Sequence, residues 1–184
     1  MSVQSPPWLV AVDLQRAFAD AGSPWFTPGV GAIAGVVADL LPRFGARAVF
    51  TRFVPPREIE GSWCAYYERW RFAAGSHDSD RWSVIEPWGR AVSISSHTFS
   101  KWVPELRALV GPNPTIVLCG VSTDCCVLAT AFAAVDGGAH VRVMADACAA
   151  KTPELHEAAL QMMRGRAPQL KVVTAREESA QLLR

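Results

Sequence analysis

Cys125 and Cys126 stand side by side in Gly120-Val121-Ser122-Thr123-Asp124-Cys125-Cys126-Val127. The segment follows the apolar run Thr115–Cys119 and opens a helical pattern over Asp124–Val135. Cys126 is thereby expected in the first turn of a helix. Unpaired backbone N–H groups and the helix dipole there favour a thiolate and can hold an oxyanion. Such a cysteine could attack a carbonyl carbon; the plainer reading is a small buried apolar residue. Successive helical residues face about 100° apart, so Cys125 cannot share one pocket equally with Cys126; a vicinal redox pair is its alternative role. Cys64, Cys119 and Cys148 read as packing residues. Asp13 ends the apolar run Trp8–Val12. A carboxylate there is costly unless paired or set in a cleft. It could take the proton of a thiol, or cap a turn. Gln15 and Phe18 follow it and would line the same mouth. Lys101, in His97-Thr98-Phe99-Ser100-Lys101-Trp102, is one of three lysines. Its ammonium could stabilise a thiolate and orient a carboxylate, or sit in solvent at the start of a short helix.

These groups need a scaffold that brings distant segments together. Trp8–Val12, Ala46–Phe53, Ala91–Ile94, Thr115–Cys119, His140–Met144 and Leu170–Val173 read as six strands. Gly29–Leu41, Pro104–Val110, Asp124–Val135, Pro153–Arg164 and a segment running to Leu183 read as helices. Residues 54–90, broken by Pro55, Pro56, Gly61, Gly75, Pro87 and Gly89, read as irregular. Strands alternating with helices predict a three-layer α/β/α fold around a parallel sheet. Functional groups gather at the carboxyl ends of such strands. Asp13 and the Gly120–Cys126 turn both fall there.

Composition narrows the class of function. Half of the 184 residues are hydrophobic and 19% are charged, enough to fill one core, and a single domain over 1–184 is expected. The net charge of +1 gives no electrostatic footprint for nucleic acid or a membrane surface. The apolar runs are too short to span a bilayer, and Met1–Pro7 has no secretory pattern. Five cysteines without a C-x-x-C pair fit a reduced, cytoplasmic protein better than a disulfide framework. The four histidines show no ligand-like pairing, and Leu41–Ser76 contains neither His nor Asp, so no metal is expected. No G-x-G-x-x-G or P-loop run calls for a nucleotide cofactor, and none is expected. Trp63, Tyr66, Tyr67, Trp70, Trp82 and Trp88 are interleaved with arginines in residues 54–90. They read either as a pocket lid, with Trp63, Tyr67 and Trp70 touching substrate, or as a subunit interface.

Three motifs in order make the chain resemble the isochorismatase-like cysteine hydrolases, which include nicotinamidases and N-carbamoylsarcosine amidases. They are Val12-Asp13-Leu14-Gln15 with Phe18, then Gly120–Val127 with Thr130 and Ala131, then Asp146-Ala147-Cys148-Ala149 with Glu154, His156, Ala159 and Leu160. The resemblance implies strand order 3-2-1-4-5-6, Cys126 as nucleophile and Asp13 as general base. It also implies a cis peptide before Ser122 and an oxyanion hole from the Ser122 and Cys126 amides. The family's lysine stands three residues before an aromatic–Ser pair; Phe99-Ser100 would put it at Ser96. Either Lys101 reaches back to serve, with Ser96 left to contact substrate, or the site works without a lysine. Nicotinamidases carry an Asp/His metal cluster after the second strand, which is missing here. Isochorismatases proper cleave a vinyl ether and commonly lack the cysteine. The resemblance therefore points to cleavage of a small amide or ureide, in a homodimer or homotetramer. A ligand-binding member without turnover and a vinyl-ether hydrolase are the alternatives.

Overall fold

The computed structural model describes residues 6–183, so the reading of residues 1–5 as free of a leader lies outside them. Six strands form one sheet: β1 (Trp8–Val12), β2 (Ala48–Phe53), β3 (Ser93–Ser96), β4 (Thr115–Val121), β5 (His140–Ala149) and β6 (Leu170–Val173). Every pairing is parallel and the order is β3-β2-β1-β4-β5-β6, the predicted fold class. The helices are α1 (Arg16–Ala19), α2 (Val30–Phe44), α3 (Trp63–Arg69), α4 (Pro104–Val110), α5 (Leu128–Asp136), α6 (Pro153–Arg164) and α7 (Ala175–Gln181).

The sheet is covered on both faces, which explains its uninterrupted apolar strands. Along β1, Leu9 and Ala11 enter the core under α2, while Val10 and Val12 enter the core shared with α4, α5 and α6. Among the described residues, no helix is long and apolar enough to cross a membrane.

Several boundaries differ from the sequence reading. α2 continues past Pro42 to Phe44. Pro42 falls in its last turns, and burial of Phe44 holds them on the sheet. The stretch read as irregular contains α3, whose short apolar face packs on other aromatics rather than on the sheet. The third strand is Ser93–Ser96 rather than Ala91–Ile94; its polar sequence reflects a half-buried edge. β5 runs on to Ala149, where Cys148 and Ala149 pair with Gly120 and Val121 after a register shift.

That shift occurs where β4 meets β1 most closely. Gly120 has φ +113°, and a Cβ there would lie 2.0 Å from the Val12 carbonyl oxygen. The obstacle is backbone, so it cannot turn aside. Gly120→Ala is expected to cost roughly 3 kcal/mol or more of stability. Urea unfolding of the variant beside Gly111→Ala, where a Cβ meets open space, checks this.

Candidate active site

Asp13 leaves the end of β1 with φ +50°, a left-handed conformation that aspartate tolerates better than most residues. It is fully buried. Thr51 on β2 fixes it twice: the Thr51 hydroxyl donates to Asp13 Oδ1 (2.8 Å) and accepts from the Asp13 amide (3.2 Å). Lys101 Nζ lies 3.1 Å from Asp13 Oδ2 as an ion pair, with both side chains out of solvent. Oδ2 has no aligned hydrogen-bond donor. One oxygen is thus occupied and oriented, while the other keeps a lone pair for a proton.

Lys101 reaches this position from the segment between β3 and α4. Its ammonium also donates to the Thr98 carbonyl (2.7 Å) and sits 4.8 Å from the centre of the Phe53 ring. Its backbone amide donates to Thr130 Oγ1 (2.8 Å), and that hydroxyl donates to the Cys126 carbonyl (2.6 Å). Thr130 on α5 thereby ties the lysine segment to the cysteine turn.

The turn itself is not the plain helix start expected from sequence. The Ser122 carbonyl accepts from the amides of Cys125 (3.0 Å) and Val127 (3.1 Å). The second bond spans five residues, so Thr123–Val127 forms one π-helical turn before α5. The Cys126 amide, between those two donors in sequence, is not bonded to that carbonyl. The Val121–Ser122 peptide is cis.

Cys126 is 4% exposed. Its thiol is held well above the usual range. The hydrogen bond it makes with the Cys125 thiol, burial and the Asp13 charge all favour the protonated form, against Lys101. Cys125 is shifted down by the same hydrogen bond, against burial and the charges of Asp124 and Asp13. A buried, protonated Cys126 needs a base before it can attack. Asp13 and Lys101 are near enough for both charges to bear on it.

Both cysteines line a cavity of about 290 Å³ walled by Phe18, Trp25, Phe53, Tyr66, Trp70 and Phe99. Trp25 is the hub of that wall. Its ring lies 4.9 to 6.1 Å from those of Phe18, Phe53, Tyr66, Trp70, Phe72 and Trp82. Burial, and then the charges of the two cysteines, raise the Tyr66 hydroxyl well above its ordinary range, so it stays a neutral donor. Thr27, Ser122, Asp124 and Lys151 supply the polar lining.

The sequence-selected residues separate into groups here. Asp13, Lys101 and Cys126 come together, and Ser122, Phe18 and Trp70 line the same cavity. Gln15 does not reach the cavity lining. It is fully buried, donating to the Phe53 (3.0 Å) and Trp82 (2.7 Å) carbonyls and accepting from the Phe53 amide (2.8 Å). Its amide clamps β1, β2 and the Asp80–Trp82 turn. Trp63 stands one layer behind, 5.0 Å from Phe99 and 5.1 Å from Tyr66 between ring centres. Tyr67 is buried behind it, its hydroxyl pushed up to about 12 by burial. Ser96 faces a separate polar cleft with Arg52, His77 and His97. Tyr66, one of the aromatics read as a possible lid, lines the cavity, and so do Trp25, Phe53, Phe99, Asp124, Lys151 and Leu155, which the sequence does not single out as site residues. Their common signal is position: each follows or ends a strand at the sheet's carboxyl edge, or faces that edge from a loop or helix start.

Two measurements follow from this geometry. Removing one partner of a buried ion pair strands the other, at about 3–5 kcal/mol. Lys101→Met is expected to lose stability on that scale in urea unfolding, and adding Asp13→Asn, which removes the stranded charge and tolerates φ +50°, to recover much of it. Burial pushes Cys119 up to about 12 and Cys148 well above the ordinary thiol range. A raised value keeps the inert thiol form through neutral pH and beyond. Iodoacetamide at about pH 8, below the free-thiol value, should therefore label exposed Cys64 and spare Cys119 and Cys148. Peptide mass spectrometry reads all three.

A family model described as "Isochorismatase domain" matches residues 7–178. Isochorismatase domain-containing protein 2 of Xenopus laevis is 37% identical over 70 residues, 36% of this chain and 34% of that protein. The chain thus matches about a third of that relative's length. A cysteine hydrolase from Pseudomonas syringae pv. phaseolicola 1448A shares the fold at a TM-score of 0.79, with 19% identity over 96% of this chain and 92% of its own. A pyrazinamidase from Pyrococcus horikoshii, solved in complex with zinc, reaches a TM-score of 0.68 with 26% identity, over 92% and 99% of the two chains. The donors here do not fit such an ion: among the described residues, no three His, Cys, Asp or Glu side chains gather closely enough to hold one. The match across residues 7–178, on a six-stranded parallel sheet of this order, shows that the chain belongs to the isochorismatase family of hydrolases.

Proposed function

We propose that the protein is a cysteine hydrolase that cleaves the C–N bond of a small amide or ureide through a covalent thioester or carbamoyl-enzyme. The observation that carries this reading is the buried Asp13–Lys101 ion pair, beside a protonated cysteine on an aromatic-walled cavity. Asp13 Oδ2 takes the Cys126 proton. The thiolate adds to the carbonyl carbon, and the C=O electron pair moves onto oxygen. The Ser122 and Cys126 amides hold that oxyanion. As the intermediate collapses, the C–N bond breaks and the departing nitrogen takes the proton from Asp13. Water then loses a proton to Asp13 and adds to the acyl carbon. Collapse of this second intermediate expels the Cys126 sulfur, which takes the proton from Asp13 and restores the starting pair. Lys101 holds Asp13 in place throughout.

A cavity of about 290 Å³ lies near the small end of ligand sites, which favours a single-ring or similarly compact amide. A non-catalytic member would draw support from the absence of lysine at position 96; the pairing of Lys101 with Asp13 favours the hydrolase reading instead. The reading extends to one domain over 1–184, working in the cytoplasm as a homodimer or homotetramer without a cofactor. The free cysteines at 64, 119, 125, 126 and 148 are in keeping with a reducing compartment.

The test is turnover of a panel of primary carboxamides and ureides, followed by ammonia release. Cys126→Ala is expected to abolish turnover and the acyl-enzyme mass adduct. Cys125→Ala should retain activity within about an order of magnitude, since it removes a neighbour rather than the nucleophile. The reverse pattern overturns the assignment.

A further inference from the structure

The cavity wall facing the nucleophile turn is aromatic, yet the turn itself presents a carboxylate. Asp124 lines the cavity beside Cys125 and Cys126. Its Oδ1 is out of contact with water and has no hydrogen-bond partner. Among the described residues, no Lys, Arg or His side chain lies within ion-pair distance of it. His156 on α6, on which the Asp124 charge acts, has its Nδ1 hydrogen-bonded with Thr123 Oγ1 (2.8 Å). Burial shifts His156 downward, so at neutral pH its ring brings Asp124 no positive charge.

With Oδ1 closed off and undonated, the carboxylate charge is under-compensated, and a donor that meets Asp124 from its cavity side offsets that deficit. Lys151 is the other charged group on the cavity, but it is exposed. Water already solvates its ammonium, so it gains little from a ligand carboxylate.

We propose that Asp124 is a specificity-determining residue that binds an amino or ammonium group of the substrate, selecting flat amides that carry a nitrogen donor away from the scissile carbonyl. The inference deepens the amidase reading above and rests on it for the identity of the scissile group. The aromatic wall takes the ring, Cys126 meets the carbonyl, and Asp124 receives the second nitrogen.

The test separates recognition from chemistry. Calorimetric titrations use Cys126→Ala protein, which cannot form the acyl-enzyme, with benzamide, meta- and para-(aminomethyl)benzamide, and para-carboxybenzamide as probes. At least one aminomethyl isomer is expected to bind about tenfold or more tightly than benzamide, the scale of one charge-assisted hydrogen bond. Adding Asp124→Asn should remove that advantage, weakening the favoured aminomethyl isomer about tenfold more than it weakens benzamide. Asp124→Ser serves as a second variant, and thermal melts confirm that each protein is folded. The proposal is overturned if the carboxylated probe binds best. It is also overturned if no aminomethyl isomer binds at millimolar concentration or outperforms benzamide, or if the Asp124 variants weaken every probe equally. Failure of the wild type to hydrolyse any probe would count against the amidase reading alone, because the binding comparison is made without turnover.

Discussion

A carboxylate and an ammonium, 3.1 Å apart and both removed from solvent, set the terms for everything around them. Burying either ion alone costs several kcal/mol, so the chain must deliver both to one point and surround them with dipoles. β1 supplies Asp13 in a left-handed conformation, β2 supplies the Thr51 hydroxyl, and the segment before α4 supplies Lys101. Thr130 then couples that segment to the Cys126 carbonyl. The parallel topology makes this convergence possible, because the carboxyl ends of β1, β2, β3 and β4 all open on the same edge. The close passage of Gly120 against Val12 brings the cysteine turn down to that edge.

The same burial shapes the chemistry of the sulfur. In an open, positively charged site, a cysteine at a helix start would lose its proton readily. Here Cys126 is enclosed and Asp13 lies nearby, so the resting form is the thiol. A protonated thiol near an oriented carboxylate can react only if that proton is first taken up, so the enclosure makes a base part of any chemistry at this sulfur. The aromatic wall contributes by excluding water, which strengthens the few charges that face the cavity.

Much of the scaffold was legible in the sequence, for a physical reason. Strands buried on both faces, such as Trp8–Val12 and Thr115–Val121, have no solvent side and read as continuous apolar runs. β3 gave a weaker signal because Ser93-Ile94-Ser95-Ser96 is a half-buried edge. α3 was hidden because its partners are other aromatics rather than the sheet. In the site, Asp13 and Cys126 were legible from their places after apolar strands. Lys101 was ambiguous: its spacing from Phe99 could not reveal that its chain folds back to the Thr98 carbonyl. Gln15 had the right position for the mouth, but its amide is consumed by three backbone hydrogen bonds. Trp25 carries no periodic signal, because the Trp25-Phe26 pair lies in a turn; its role exists only once six other rings converge on it.

Cavity size would have pointed elsewhere. The polar cleft around Arg52, His77 and Ser96 is larger, at about 570 Å³. Its polar groups, however, already answer one another. Arg52 donates to Ser95 Oγ (2.8 Å), His77 Nδ1 is bonded to the Pro55 carbonyl (2.7 Å), and Ser96 Oγ meets Thr98 Oγ1 (2.7 Å). At the smaller cavity, Asp124 Oδ1 lacks a hydrogen-bond donor, and nearby Asp13 Oδ2 meets the Lys101 ammonium without an aligned hydrogen bond. Unanswered polar groups held in a dry, rigid setting are what a reaction or a ligand can use. By that criterion the cysteine turn, rather than the well-satisfied larger cleft beside it, is the stronger candidate site.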